Sequence, residues 1–118
     1  MHELSIAQAL VEQVAAVVAR EGGTRARRVT VKVGALSGVD AEALEMAFPV
    51  ASERSACEGA TLLIEPVAAA AHCRDCGRDT EPPFPFLVCE HCGSTQVDVL
   101  AGHELLLASV EIETDHPR

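Results

Sequence analysis

Aromatic and basic residues are scarce in this chain. Among its 118 residues there is no Trp, no Tyr and only three Phe. A core built on stacked rings is therefore excluded; the hydrophobic 48% is mostly Ala, Val and Leu and packs as a small-grained core. Nine Lys and Arg face eighteen Asp and Glu, a net charge of −9. That balance excludes a nucleic-acid surface, which needs clustered cations against phosphate. The one basic cluster, Arg25, Arg27 and Arg28, has no aromatic residues interleaved and reads as a solvated strand end. No apolar run is long enough to span a membrane. The first twenty residues lack a basic start, carry Glu3 and Glu12 and show no separate cleavage region, so they do not read as a leader. No G-x-x-x-x-G-K-[ST] loop is present, so the chain should not bind or hydrolyse GTP itself. No Ser-His-Asp or Cys-His arrangement has recognisable spacing either, and the expectation is a protein that is not an enzyme.

What the chain does have is four cysteines in two matching pairs, Cys73-Arg74-Asp75-Cys76-Gly77 and Cys89-Glu90-His91-Cys92-Gly93. A C-x-x-C turn points two sulfurs at one ion, and the following Gly lets the backbone turn tightly around them. Two such knuckles supply the four thiolates of a closed, tetrahedral, structural zinc site. A closed site predicts architecture rather than catalysis. The twelve residues between the pairs leave room for two short strands and a turn, and Pro82, Pro83 and Pro85 exclude a helix there. Metal-ligating cysteines fit a reducing cytoplasm. Cys57 is left over and reads as a small buried residue rather than a reactive thiol. His72 and His91 adjoin the cysteines and read as exposed neighbours.

Around this lobe the pattern is α+β. Ser5-Ile6-Ala7-Gln8 has the form of a capping box. The helix it predicts runs to about Arg20, with Ile6, Leu10, Val14, Val17 and Val18 on one face. Gly22-Gly23 ends it. Residues 28–33 alternate, which predicts a strand with Val29, Val31 and Val33 inward. Asp40 can cap a second helix carrying Leu44, Ala47 and Phe48. Pro49 should kink or restart that helix, and Glu58-Gly59 should close it. A strand over Thr61–Glu65 follows. Glu104–Glu113 reads as a long final strand, and its run Leu105-Leu106-Leu107-Ala108 suggests burial on more than one side. The expected fold is two helices on a three-stranded mixed sheet, interrupted by a zinc-ribbon-like lobe. Residues 1–69 and 101–118 would form the α+β domain and 70–100 the zinc domain.

The chain starts Met1-His2-Glu3. Met1 should survive processing, because its aminopeptidase prefers a small second residue. A free amine followed at once by His closes adjacent chelate rings through the amine, the His2 backbone nitrogen and the His2 imidazole. Such nitrogen and oxygen ligation suits Ni(II) or Cu(II). Taken alone the pattern is weak, since a terminal His is more often a solvated side chain. Glu3 could supply a fourth ligand, with Asp40 a weaker candidate.

Taken together, the pieces carry more weight. Met1-His2-Glu3-Leu4-Ser5 opens a helix, Val33-Gly34-Ala35-Leu36-Ser37-Gly38-Val39 follows the first strand, and Glu58-Gly59-Ala60 precedes the second. The two C-x-x-C-G knuckles, Gly102-His103-Glu104-Leu105 and Val110-Glu111-Ile112-Glu113 complete the order. This arrangement resembles the HypA/HybF family of nickel metallochaperones over essentially the whole chain. The resemblance implies a nickel-binding domain with His2 as the essential ligand and Glu3 in the same motif. It also implies a structural Zn(2+) domain and Ni(2+) as transferred cargo. The implied partners are a HypB-type GTPase and the [NiFe]-hydrogenase large subunit; some family members also feed urease maturation. Two other readings compete. One is a zinc-ribbon interaction adaptor without nickel, in which replacing His2 is silent. The other is a dithiol oxidoreductase, which needs one pair free at a helix start.

Overall fold

The computed structural model describes residues 2–83 and 85–114. The elements run α1 (Glu3–Arg20), β1 (Arg25–Gly34), α2 (Ala41–Ser52), β2 (Thr61–Val67), β3 (Ala70–Cys73), β4 (Asp79–Thr80), β5 (Val97–Ala101) and β6 (Leu105–Glu113). They build two three-stranded sheets, ordered β2-β1-β6 and β4-β3-β5. The first is mixed. Thr24 and Gly34 donate to the Glu113 and Glu104 carbonyls, so β1 and β6 run antiparallel; Ala26 and Ala35 donate to Ala56 and Val67, so β1 runs parallel to the chain that becomes β2. The expected α+β fold, two helices with a three-stranded mixed sheet and a ribbon-like cysteine lobe, is what forms. The chain divides into two compact units, Met1–Val31 with Val39–Ile64 and Leu107–Arg118, and Lys32–Gly38 with Glu65–Leu106.

In the first unit α1 and α2 pack together. The face that α1 buries is Ala7, Leu10, Val11, Val14 and Val18; Ile6 and Val17 flank it half-buried. The helix begins two residues before the expected capping box, which leaves Ser5 and Gln8 inside it as exposed residues. The reason is Glu3. Its carboxylate accepts from the Asp40 amide at 3.0 Å, and this ties the first turn to the loop before α2. At the other end Gly22 and Gly23 donate to the Ala19 and Val18 carbonyls, the paired bonds of a Schellman stop.

α2 starts where expected, with the Asp40 carboxylate accepting from the Ala43 amide at 3.2 Å. It is not restarted at Pro49 but continues as one helix to Ser52. Leu44 and Phe48 are 0% and 1% exposed. Two such burials, at about 1.5–3 kcal/mol each, outweigh the roughly 3 kcal/mol that an internal Pro costs. The helix ends well before Glu58-Gly59; turns closed by Ser55, Glu58 and Ala60 amides fill the interval. Val29, Val31 and Val33 are buried as expected, and Ala26 joins them because β1 starts at Arg25. Its exposed arginines are not idle: Arg25 and Arg27 approach Glu113 at 3.9 and 3.5 Å, and Arg28 approaches Glu111 at 3.3 Å.

β6 corrects another expectation. Its leucine run is not buried on both sides: exposure alternates along the strand, and Leu106 is 55% exposed. β6 is an edge strand, and one face of its sheet stays open to water. In the second unit the end of β1 lies tightly against the connection between β5 and β6. A Cβ at Gly34 would collide with the Gly102 carbonyl, so only glycine lets these two backbones approach.

Candidate functional site

The two cysteine pairs fold as near copies. In the first, the Gly77 amide donates to the Cys73 carbonyl at 2.9 Å; in the second, Gly93 donates to Cys89 at 2.8 Å. Both glycines hold a φ near +75°, at +75° and +76°, which side chains resist. Cys73 and Cys89 in turn donate to the Arg78 and Ser94 carbonyls at 2.9 and 2.8 Å. The Cys76 and His91 amides point at the Cys73 and Cys89 sulfurs, at 3.5 and 3.4 Å. β3 carries the first knuckle and pairs antiparallel with β4 and β5. Among its described residues the interval between the knuckles holds the two-residue β4 and no second strand; three prolines in the following stretch remove the amide donors that a second strand needs. Ser94 donates to the Asp75 carboxylate and Arg74 to the Gln96 side chain at 3.1 Å, tying one knuckle to the segment after the other.

All four sulfurs lie within 4.8 Å of one another. Cys73 and Cys92 are 3.6 Å apart and Cys76 and Cys89 are 3.7 Å apart, and none is disulfide-bonded. Zinc–sulfur bonds of about 2.3 Å put the corners of a tetrahedron about 3.8 Å apart, so the spacing fits such an ion. The charges point the same way. Burial works against the Cys89 thiolate, but the Cys92 and His91 amides and the neighbouring thiols outweigh it and bring the group down to about 6. At Cys92 the Ser94 amide favours the thiolate, yet burial and three adjacent sulfurs push it up to about 12. Four thiolates cannot ionise side by side without a cation among them. A divalent ion bound between the four sulfurs would supply that charge.

Neither histidine belongs to this cluster. His72 Nδ1 sits 2.8 Å from the Asp79 carboxylate and His91 Nε2 sits 3.2 Å from the Asp79 carbonyl. Asp79 as their shared partner was not visible in the sequence; it needs the β3–β4 pairing, which sets His72 opposite Asp79. Cys57 is fully buried, and burial raises its thiol.

At the start of the chain, Met1 lies outside the described residues. His2 is exposed and stands as the cap residue of α1 without a side-chain capping bond; its carbonyl accepts from Ile6 at 2.9 Å. Glu3 is the opposite, only 6% exposed. The α-amino group, the Asp40 amide and its own amide hold the Glu3 carboxyl at about 2. It is ionised at neutral pH. The fold therefore brings Glu3 to the Asp40 backbone beside an exposed His2. The burial of Glu3 was missed in the sequence, where a charged residue in a first turn reads as solvated.

Comparison with known proteins gives one answer. The family model described as hydrogenase/urease nickel incorporation metallochaperone HypA matches residues 1–112. A hydrogenase maturation factor HypA from Nitrosospira multiformis is 41% identical over 97% of this chain and 99% of its own length. Its counterpart from Chlorobium limicola is 40% identical over 96% and 97%. The solution structure of the Ni metallochaperone HypA from Helicobacter pylori superposes with a TM-score of 0.71 at 29% identity, covering 98% of this chain and all of that one. The chain belongs to the HypA family of hydrogenase and urease nickel-incorporation metallochaperones.

Proposed function

We propose that this protein carries Ni(II) at its N-terminus and delivers it to the large subunit of a [NiFe]-hydrogenase in the cytoplasm, in concert with a partner GTPase. It is a carrier and not an enzyme. The observation that carries the reading is the pairing of an exposed His2 with a buried, ionised Glu3 next to Asp40. The Met1 amine, the His2 backbone nitrogen and the His2 imidazole form the chelate. Glu3 is the proposed fourth ligand, and its negative charge suits a divalent ion; Asp40 is the alternative. Nitrogen and oxygen donors of this kind favour nickel over softer ions.

Cys73, Cys76, Cys89 and Cys92 hold structural Zn(2+) in the same proposal. Residues 1–69 and 101–118 form the nickel-binding part and 70–100 the zinc-binding part. The H. pylori structure is named a nickel metallochaperone, which supports the transfer to this chain. No helix among the described residues is long and apolar enough to cross a membrane, in keeping with a carrier that moves between partners.

Nickel calorimetry on zinc-loaded protein tests the reading. Native protein should bind one equivalent. His2→Ala and N-terminally acetylated protein should both bind far more weakly, and affinity should fall as the pH drops, because the amine and imidazole must lose protons. Equal affinity in native and acetylated protein would remove the terminal site.

A further inference from the structure

α2 is apolar on two sides. One side, Leu44 and Phe48, is buried. The other, Ala43, Met46, Ala47 and Val50, follows the i, i+3, i+4, i+7 spacing of a second stripe and is not covered. Met46 is 78% exposed and Val50 61%. Leu4 of α1, 47% exposed, lies beside them. With Glu3 these residues line an open hollow of about 430 Å³ between the two helices.

The charge around the hollow has one sign. No Lys or Arg occurs in residues 1–19 or in residues 33–53, the stretches that supply α2 and the first four turns of α1. The same stretches carry Glu3, Glu12, Asp40, Glu42, Glu45 and Glu53. Glu42 and Glu53 bracket the stripe at its two ends, and both are exposed; Arg54 follows only beyond it. A second copy docking by this face would set these carboxylates against their own kind. An anionic membrane would be repelled in the same way. An apolar surface with an acidic border fits a helix whose apolar face is flanked by Lys and Arg, laid into the groove between two helices. A flexible Met at the centre suits such a surface, because its thioether adapts to differently shaped side chains.

We propose that the α1–α2 hollow is the docking site for a basic amphipathic helix of a partner protein. The proposal deepens the carrier reading: a helix seated there lies against Glu3, one residue from His2, and so engages the protein beside its cargo motif.

The test needs no nickel, so its failure is distinct from failure of the nickel site. Zinc-loaded, isotope-labelled full chain is titrated with a 14-residue amphipathic Leu/Lys helix. The controls are a Leu/Glu helix of the same pattern and a scrambled Leu/Lys peptide. Shifts should centre on Leu4, Ala43, Met46, Ala47 and Val50. Met46→Ser/Val50→Ser should weaken binding at least tenfold, and Glu42→Lys/Glu53→Lys should do the same; all four side chains are exposed, so the fold is kept. The Leu/Glu helix should not bind, and the scrambled peptide should not reproduce the localised shifts. Shifts spread over the acidic surface, or unchanged affinity in both double variants, would overturn the proposal. So would binding of phosphatidylserine vesicles through the same residues, or a dimer that Met46→Ser/Val50→Ser dissociates.

Discussion

The two compact units of this molecule are held together by different means. In the first, the largest fully buried side chains are Phe48, Leu44, Val14, Val29 and Val31, an ordinary if small-grained hydrocarbon core. In the second, Cys73 and Cys89 take that place, and the other buried residues among those described include nothing larger than Val33. One unit is organised by periodic apolar residues on helices and strands. The other is organised by two backbone knuckles aimed at one point. The first should therefore answer to changes of side-chain volume, and the second to changes of metal.

On the proposed zinc reading, the largest effect should come from removing the ion. Structural zinc contributes on the order of 10–16 kcal/mol of binding free energy, and the small side chains of the second unit have nothing of that size to replace it. Cys73→Ala or Cys92→Ala should unfold the cysteine lobe while the amide spectrum of the first unit persists. A native-like lobe in metal-free protein would break the comparison.

Next in size is the hydrocarbon core. Phe48→Ala should cost about 3–5 kcal/mol and lower the thermal midpoint of the first unit, followed by circular dichroism because there is no Trp or Tyr to report. Bound zinc should remain at one equivalent. Loss of zinc in step with helix would show that the two means of support are not separate.

Smaller effects sharpen the picture within the first unit. Asp40→Ala removes the α2 cap and should cost about 1 kcal/mol, with Asp40→Asn restoring most of it. Glu3 gives a pH signature. Its folded carboxyl sits at about 2 against an ordinary 4.5, so its contribution is present above 4.5 and is lost as the pH falls through about 2. Glu3→Gln should be less stable than native protein at neutral pH, and urea titrations of the two should converge as the pH drops through that window. A gap that ignores pH would contradict the burial of an ionised group. Arg28→Ala should change stability least, by about 1 kcal/mol or less, since its pairing with Glu111 is exposed.

The same contrast explains what could be read in advance. The cysteine lobe was legible because its geometry is local: C-x-x-C-G fixes a turn within five residues. The helices were legible from period together with stop and cap signals, and β1 from its alternation. What escaped were consequences of long-range pairing. Glu3 starts α1 early because Asp40, far along the chain, offers it an amide. α2 runs through Pro49 because tertiary burial of Leu44 and Phe48 overrides the local penalty. The β6 leucines stay half-open because sheet order, not composition, puts that strand at an edge. The clustering of the four cysteines could be anticipated from their spacing, but the shared partner Asp79 of the two lobe histidines required a strand register.

The central claim is that two metals are served by two separate regions. Zinc-loaded, isotope-labelled protein titrated with one equivalent of Ni(II), then desalted and analysed for both metals, tests it most directly. The account predicts one zinc and one nickel per chain, with amide signals lost or shifted around His2, Glu3 and Asp40 and the knuckle amides of Cys76, Gly77, Cys92 and Gly93 unmoved. Release of an equivalent of zinc, with the knuckle amides shifting and those around His2 unchanged, would contradict it.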